Sequence, residues 1–268
     1  MALRDITLGQ YFPGSSPIHK LDPRAKLVAL ICYIVALFLG KWLITYGLCL
    51  AVLIGVVAAS TVKPKALFKG MKPVVFILVF TAVLNIFYTP GEPLASFWIF
   101  TVTKEGIVHA FFMVVRIIML IACTFLLTYT TSPLALTDGL ESLMGPLKKI
   151  RVPVHELSMM MSIALRFIPT LIEETDKIMS AQRSRGADFD TGNLIQKAKA
   201  LIPLLVPLFI SAFRRADELA TAMECRCYHG GEGRTRMKQL HYRPGDVVFM
   251  LGALALAVSI GVLGYFGL

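Results

Sequence analysis

Long uncharged runs constrain the fold of this chain more than any other feature of its sequence. Residues 247–268 carry no charged side chain, and other apolar runs occupy about 27–39, 43–62, 73–88 and 107–129. The first of these extends to about residue 46 if Lys41 and Trp42 mark a membrane interface. A helix needs about 20 mostly apolar residues to cross the hydrocarbon core of a bilayer. The runs therefore predict an all-α membrane protein with about five transmembrane helices.

The overall composition agrees with a membrane-embedded chain. Only 16% of the residues are charged and 56% are hydrophobic, whereas soluble domains average roughly 25% charged residues.

Gly40 and Lys41 predict the turn between the first two runs. Segment 92–103 holds three aromatic residues between polar ends, which predicts a segment at the headgroup level of the membrane.

The distribution of basic residues predicts the topology. Of the 27 Lys and Arg residues, 16 lie in 130–246 together with 13 of the 17 acidic residues. Cytoplasmic loops carry an excess of Lys and Arg, so the N-terminus and 130–246 are predicted in the cytoplasm and the C-terminus outside the cell membrane. The predicted domains are a four-helix membrane domain (1–129), a cytoplasmic coupling-helix domain (130–246) and a last transmembrane helix (247–268).

Several function classes lack support in the sequence. The net charge of +10 sits in loops rather than in an aromatic-interleaved patch, so nucleic acid is not predicted as a partner. The five cysteines do not have the usual spacing of a zinc or redox site, and no metal ligand set is predicted. Neither paired acids nor a Ser/His pair stands near the membrane plane, so no catalytic residue is predicted. The polar first 22 residues do not predict a signal peptide.

Two long amphipathic helices are predicted in succession within 157–228, after a shorter one at 134–144. Apolar residues recur with helical period in both long helices, each about 30 residues long. The apolar run 200–213 is too short to span, so it predicts a helix buried at the membrane surface or against the first helix. Thr191 is predicted to cap the second helix. Bends are predicted at three prolines, Pro169, Pro203 and Pro207.

Each long helix finishes on a short arginine-bearing tip. The two tips are Ala181-Gln182-Arg183-Ser184-Arg185-Gly186 and Ala222-Met223-Glu224-Cys225-Arg226-Cys227-Tyr228, and the predicted docking residues in them are Ser184, Arg185, Gly186, Cys225, Arg226 and Cys227. Arginine at a helix C-terminus complements the negative end of the helix dipole, which is one interpretation. Its planar fork also suits carboxylates and carbonyls of a partner, and small neighbours leave it unshielded. Consecutive helices should end at opposite places, so two separated tips predict two docking points.

Further motifs accompany the tips. They are Ala181-Gln182, Ala222-Met223-Glu224 and Tyr228, Gly9-Gln10-Tyr11, Pro13-Gly14, Ser16, His19-Lys20-Leu21-Asp22-Pro23-Arg24, and Leu165-Arg166-Phe167-Ile168-Pro169. With these residues the chain resembles, over essentially its whole length, the T component of energy-coupling factor transporters. These importers of vitamins and metal ions pair with ABC-type ATPases. One departure is visible, because the family usually shows Ala-Arg-Gly where this chain has Cys225 and Cys227 around the arginine. The exchange bears only on the local turn.

The resemblance implies a non-catalytic transmembrane coupling subunit. Arg185 and Arg226 would each insert into one of two ABC-type ATPase subunits. Closing of the ATPases on ATP would then move the coupling helices and tilt a separate, small substrate-binding membrane subunit during uptake of vitamins or other micronutrients. The chain has no Gly-rich phosphate loop ending in Lys-Ser/Thr, so ATP and Mg²⁺ are expected in the partners and no cofactor in this chain. A dedicated cobalt or nickel T subunit is one alternative. A channel or secondary transporter that carries its own substrate is an alternative of another class.

One arginine lies inside a predicted span. Arg116 is costly in lipid, so it should face protein or water. A structural role would pair it with Asn85, with backbone carbonyls or with a partner subunit, and a functional role would place it on a coupling or substrate pathway. No second ionisable residue in the spans forms a relay with it, which favours the structural role.

Overall fold

A computed structural model describes residues 11–40, 42–90, 93–97, 100–189, 193–230 and 239–266. Within these ranges the fold is helical apart from one short strand pair, which confirms the predicted helical membrane class. Short 3-10 helices occupy Lys72–Val74 and Gly145–Ile150. The α-helices are α1 (Pro17–Lys20), α2 (Pro23–Leu39), α3 (Leu43–Ser60), α4 (Pro64–Met71), α5 (Val75–Tyr88), α6 (Lys104–Thr130), α7 (Pro133–Leu143), α8 (Val154–Ser184), α9 (Leu194–Ala200), α10 (Ile202–Glu224) and α11 (Pro244–Phe266).

The chain forms two compact units. The first, here the membrane unit, comprises Gly9–Gly139 and Leu240–Leu268, and the second, here the helical-pair unit, contains Leu140–Gln239. In the membrane unit α2, α3, α6 and α11 share one apolar core. Small residues such as Ala36 and Ala122 lie in that core and let the helix backbones approach closely, as is common between membrane helices.

Five helical segments among the described residues are long and apolar enough to cross a membrane: Leu43–Ser60, Pro64–Tyr88, Lys104–Thr130, Ile195–Glu224 and Pro244–Tyr265. The number equals the predicted one, but the membership differs. The predicted first span, α2, has 17 residues and is shorter than the others. Ile195–Glu224 was expected outside the hydrocarbon. This segment is long enough to cross a membrane because it includes polar turns on both sides of the 14-residue apolar run.

A short antiparallel strand pair stands where the sequence predicted only an interfacial segment. β1 (Pro93–Phe97) pairs with β2 (Phe100–Thr103). Thr103 then caps α6, its hydroxyl accepting the N–H of Gly106 at 3.1 Å. Strands of four or five residues show too little alternation to be separated from a loop by sequence pattern. Glu92 and Trp98 lie outside the described residues.

The second long helix of the predicted pair is divided into α9 and α10. Leu201, between α9 and α10, keeps a right-handed helical backbone conformation. Pro203 has no N–H to donate and its ring crowds the preceding turn, so the helix is interrupted for one residue where a bend was predicted. α8, in contrast, continues through Pro169. α9 is preceded by Asn193, whose N–H donates to Gln196 Oε1 at 3.0 Å in a capping box. The predicted cap Thr191 lies outside the described residues.

A buried polar cluster in the membrane unit joins the first residues of α2 to those of α11. Asp22 caps α2, accepting the N–H of Arg24 at 2.9 Å and forming an ion pair with its guanidinium at 2.9 Å. The N–H of Asp22 donates to Asp246 Oδ1 at 2.8 Å, and the N–H of Arg243 donates to the other oxygen at 2.7 Å. Residues 224 positions apart are thereby held together. Burial raises the pKa of Asp22, but the hydrogen bonds and charge of Arg24 outweigh it and hold that pKa below its ordinary value.

Asp22→Asn is expected to destabilise the membrane unit by about 2 kcal/mol at neutral pH, because it leaves the partly buried Arg24 guanidinium without its counter-charge and its charged hydrogen bonds. A carboxylate with a lowered folded pKa stabilises above its ordinary pKa of about 4 and loses that contribution as the pH falls through the folded value. The variant should therefore show a weaker loss of stability below about pH 4. Thermal unfolding in detergent at pH 7 and below pH 4 measures both effects. Asp217→Asn, at an exposed site of α10, is the control, and an equal change there would contradict the assignment.

Candidate docking site

The first arginine tip closes α8 with a Schellman turn. The N–H of Ala187 donates to the carbonyl of Gln182 at 3.0 Å, and the N–H of Gly186 donates to that of Arg183 at 3.0 Å. Gly186 has a φ of +87°, the left-handed conformation that glycine adopts without steric cost. Arg185 is therefore the last residue before the chain leaves the helix.

The second tip repeats this geometry at the end of α10. The N–H of Tyr228 donates to the carbonyl of Met223 at 3.0 Å, and the N–H of Cys227 donates to that of Glu224 at 2.8 Å. Cys227 takes the left-handed position with a φ of +54°, where the resembled family usually has glycine. The turn therefore forms despite the exchange, and Arg226 occupies the position that corresponds to Arg185.

Neither arginine is needed to cap its helix, because backbone N–H groups already satisfy the carbonyls that close each turn. Arg185 and Arg226 are both exposed, and within the described ranges neither guanidinium forms a hydrogen bond or an ion pair. Their neighbours in the tips are exposed as well: Ser184, Gly186, Cys225 and Cys227. Among the described residues neither arginine caps its helix through a hydrogen bond, and docking on a partner stays a prediction.

Two contacts set the tips at opposite ends of an antiparallel pair. Near the first tip, Gln182 Nε2 donates to the carbonyl of Pro203, at the start of α10, at 3.3 Å. Near the second tip, the Tyr228 hydroxyl lies 3.1 Å from Met159 Sδ, close to the start of α8. Met159 and Gln182 are 23 positions apart along α8, which corresponds to about 35 Å of helix. The expectation that the two tips lie apart agrees with these contacts.

The stability of the second tip offers a direct check of its turn. Cys227→Gly should stabilise the turn by about 1 kcal/mol, because a residue with a Cβ is strained in the left-handed region. Hydrogen exchange at the amides of residues 227 and 228 should slow about fivefold. Gly186→Ala should accelerate exchange at the amides of residues 186 and 187 by a similar factor. Unchanged exchange in both variants would contradict the assigned turns.

An exposed apolar face lies on α10. The run 200–213 was expected to be buried at the membrane surface or against the first helix. Among the described residues of α10 only Leu204 is buried, so the run is not buried against the first helix. Burial at the membrane surface stays a prediction. Phe209 and Phe213 are 66% and 57% exposed, and their rings meet edge to face with centroids 4.7 Å apart. A depression of about 460 Å³ lies in this face. We call it the α10 face: Leu205, Val206, Phe209, Ile210 and Phe213.

Comparison with known proteins decides the family. Residues 14–237 match the family model described as CbiQ, cobalt transport protein. The chain is 54% identical over 246 residues to the energy-coupling factor transporter transmembrane protein EcfT of Ruminiclostridium cellulolyticum, covering 92% of each chain. It is 52% identical to that of Acidaminococcus fermentans over 261 residues, 97% of each chain. The Bacillus subtilis protein of the same name is 48% identical over 253 residues, 94% of this chain and 96% of its own length.

The chain belongs to the CbiQ/EcfT family. This confirms the resemblance that the paired tips indicated, and it agrees with a multi-pass membrane protein. The range matched by the family model contains both tips and the whole of α8, α9 and α10. The features that carry the docking hypothesis therefore lie within the part of this EcfT-family chain that is common to the family.

Arg116 of this EcfT-family chain forms its hydrogen bonds with other residues of the membrane unit. Its Nε donates to the Tyr46 hydroxyl at 2.9 Å, and its terminal nitrogen donates to the carbonyl of Gly40 at 3.3 Å. Asn85, the side-chain partner predicted from sequence, instead donates to the carbonyl of Thr81 at 2.9 Å. Arg116 thus ties α6 to the turn between α2 and α3. These contacts support the structural interpretation of Arg116, with a different side-chain partner from the predicted one.

Sequence reasoning predicted neither Tyr46 as the partner of Arg116 nor the exposure of the α10 face. A tyrosine near the end of an apolar run gives no local sign that its hydroxyl receives an arginine 70 residues away. The α10 face did carry a signal, because a run that is apolar all round on a helix flanked by charges indicates surface that must be covered.

Metal binding has no support among the described residues. No three or more His, Cys, Asp or Glu side chains there come together in a way that could hold a metal ion. Cys225 and Cys227 are free, exposed thiols on either side of Arg226. The lack of a resident metal stays a prediction from the sequence.

Proposed function

We propose that the chain is the non-catalytic coupling subunit of an energy-coupling factor transporter. Two ABC-type ATPase subunits dock on Arg185 and Arg226, and a separate, small membrane subunit binds the vitamin or other micronutrient. The observation that carries this proposal is the repeated tip. The same Schellman turn presents an exposed arginine at each end of one antiparallel helical pair. Two equivalent tips match a partner that has two similar subunits.

The topology belongs to the same proposal. The N-terminus and the helical pair lie in the cytoplasm, and the C-terminus lies outside. α2 crosses the membrane although it has 17 residues, because it packs in one core with α3, α6 and α11. The segment Ile195–Glu224 stays outside the hydrocarbon, because Lys199 and Arg214 bound an uncharged run that is too short to span.

The proposed mechanism uses the stiffness of a helical pair. ATP and Mg²⁺ bind to the ATPases, and closing of the ATPases moves the helical pair that is docked on them. A pair of packed helices about 35 Å long responds as a lever rather than by local bending. The α10 face moves with the pair and carries the substrate-binding subunit, whose tilt exposes its site to the other side of the membrane.

The α10 face supports a membrane-embedded partner. Monomeric soluble proteins rarely expose contiguous apolar patches larger than a few hundred Å² unless the patch binds another protein or a membrane. Five neighbouring large apolar residues on one helix form such a patch. The alternative of a dedicated cobalt or nickel subunit finds some support in the family model, which is described by cobalt transport. It changes the substrate and leaves the coupling role unaltered.

Co-purification tests the proposal. The tagged chain, extracted from its own membrane in mild detergent, is expected to bring two ABC-type ATPase subunits and one small membrane protein per copy. Mass spectrometry of the intact complex gives the stoichiometry. Recovery as a single protein that transports substrate in vesicles would contradict the proposal and favour a channel or secondary transporter.

A further inference from the structure

A cluster of polar side-chain contacts joins α8 and α10 between the two ends of the pair. Glu174 of α8 accepts a hydrogen bond from the Ser211 hydroxyl on one carboxylate oxygen. Its other oxygen accepts from a terminal nitrogen of Arg215 at 3.0 Å. The Arg215 guanidinium also lies over the Phe167 ring, 5.8 Å from its centroid. Hydrogen bonds therefore join Glu174 of α8 to Ser211 and Arg215 of α10 at one position along the helical pair.

The position of this cluster matters for the two tips. It lies between the Gln182–Pro203 contact near one tip and the contact of Tyr228 near the other. Apolar contacts are non-directional, so an apolar interface alone tolerates sliding of one helix along the other. A carboxylate held by two donors of the partner helix fixes one register, because a shift of one turn, about 5.4 Å, breaks both bonds.

Arg215 also has capacity to change its bonding. Its Nε is buried and has no hydrogen-bond partner among the described residues. The guanidinium fork can donate through two nitrogens to one carboxylate. When the helices shift slightly, the Glu174 oxygen that accepts from Ser211 can therefore accept from Arg215 Nε instead. The ion pair between Glu174 and Arg215 survives such a small movement, whereas a shift of a full turn would break it.

We propose that Glu174, Ser211 and Arg215 form a register lock that sets the spacing of Arg185 and Arg226. Glu174 and Arg215 are positioning residues, since they act through the tips and touch no ATPase. The inference rests on the proposed coupling function. Without the lock both tips still dock, but movement of the ATPases slides α8 along α10 and does not move the pair as one body.

The chain supplies matched controls for each partner. Glu173 and Arg214 are the immediate neighbours of Glu174 and Arg215, and both are exposed. The test compares Glu174→Gln and Arg215→Gln with Glu173→Gln and Arg214→Gln in the intact complex in proteoliposomes. Three quantities are measured: ATPase subunits retained, ATP hydrolysed, and substrate transported per ATP. A register readout comes from the distance between spin labels on cysteines introduced at Ser180 and Thr221, with Cys225 and Cys227 replaced by serine.

The lock predicts that Glu174→Gln and Arg215→Gln lower transport per ATP by about tenfold, within the usual range of coupling between sites. Both ATPases should stay bound, and the label distances should broaden by several ångströms. The exchanged pair Glu174→Arg with Arg215→Glu should restore most of the coupling, since a serine hydroxyl can also accept from arginine. Ser211→Ala removes one bond and no charge, so it should give a smaller drop, and it keeps the test decisive if a charge variant does not fold.

Transport per ATP equal to that of the Glu173 and Arg214 controls, with unchanged label distances, would overturn the lock. A failure of the coupling function itself gives a different result, because the unmodified chain would then retain no ATPase at all.

Discussion

Arg185→Glu combined with Arg226→Glu is expected to abolish transport and the retention of both ATPases, while the chain still inserts in the membrane. Each guanidinium is exposed at the end of a closed helical turn, so its replacement leaves the helix cap intact. Removing one partner of a desolvated charge pair costs about 2–5 kcal/mol, which corresponds to about 30-fold or more in Kd. Reversal adds repulsion at both tips.

The single variants separate the two docking points. Arg185→Glu alone should weaken ATPase retention and transport strongly, and Arg226→Glu should do the same, because the assembly needs both tips at once. Arg214→Glu makes the same charge change on an exposed residue of α10 away from the tip and should leave both quantities near normal. Full uptake by the double variant would refute docking through the arginines.

The second large effect concerns the α10 face. Phe209→Asp combined with Phe213→Asp should release the substrate-binding subunit while both ATPases remain bound. Burial of each ring in an interface is worth about 1.5–3 kcal/mol, so loss of both weakens binding by at least about a hundredfold. Because both rings are mostly exposed in the chain itself, the fold should be unaffected.

Ile150→Asp is the matched control for the α10 face, because Ile150 is 77% exposed and lies outside α10. Pull-down of the complex through the tagged chain measures each subunit separately. Retention of the substrate-binding subunit by the phenylalanine variant would place that partner on another surface. Loss of the ATPases as well would mean that the face supports the pair rather than a partner.

The features that sequence predicts best here are those that depend on local pattern. Apolar runs of sufficient length gave α3, α6 and α11, and the small residue after Arg185 indicated a helix end. A helix end was predicted at Arg226 in the same way, although cysteine adopts the left-handed conformation of residue 227 less readily than glycine does. Local patterns succeed because helix length and helix termination are decided by residues within a few positions of one another.

The features that sequence does not predict depend on contacts between distant positions. Asp22 and Asp246 form one cluster, and nothing near either residue specifies the other. The same holds for Glu174 and Arg215, which are 41 residues apart.

Reconstituted uptake tests the central claim most directly. Proteoliposomes are prepared with the two ATPases, the substrate-binding subunit and this chain, and with each component omitted in turn. The coupling account predicts ATP-dependent substrate accumulation only in the complete set. Without this chain, substrate should still bind to its own subunit, but none should accumulate in the vesicles. Accumulation by this chain alone, or undiminished accumulation in its absence, would contradict the account.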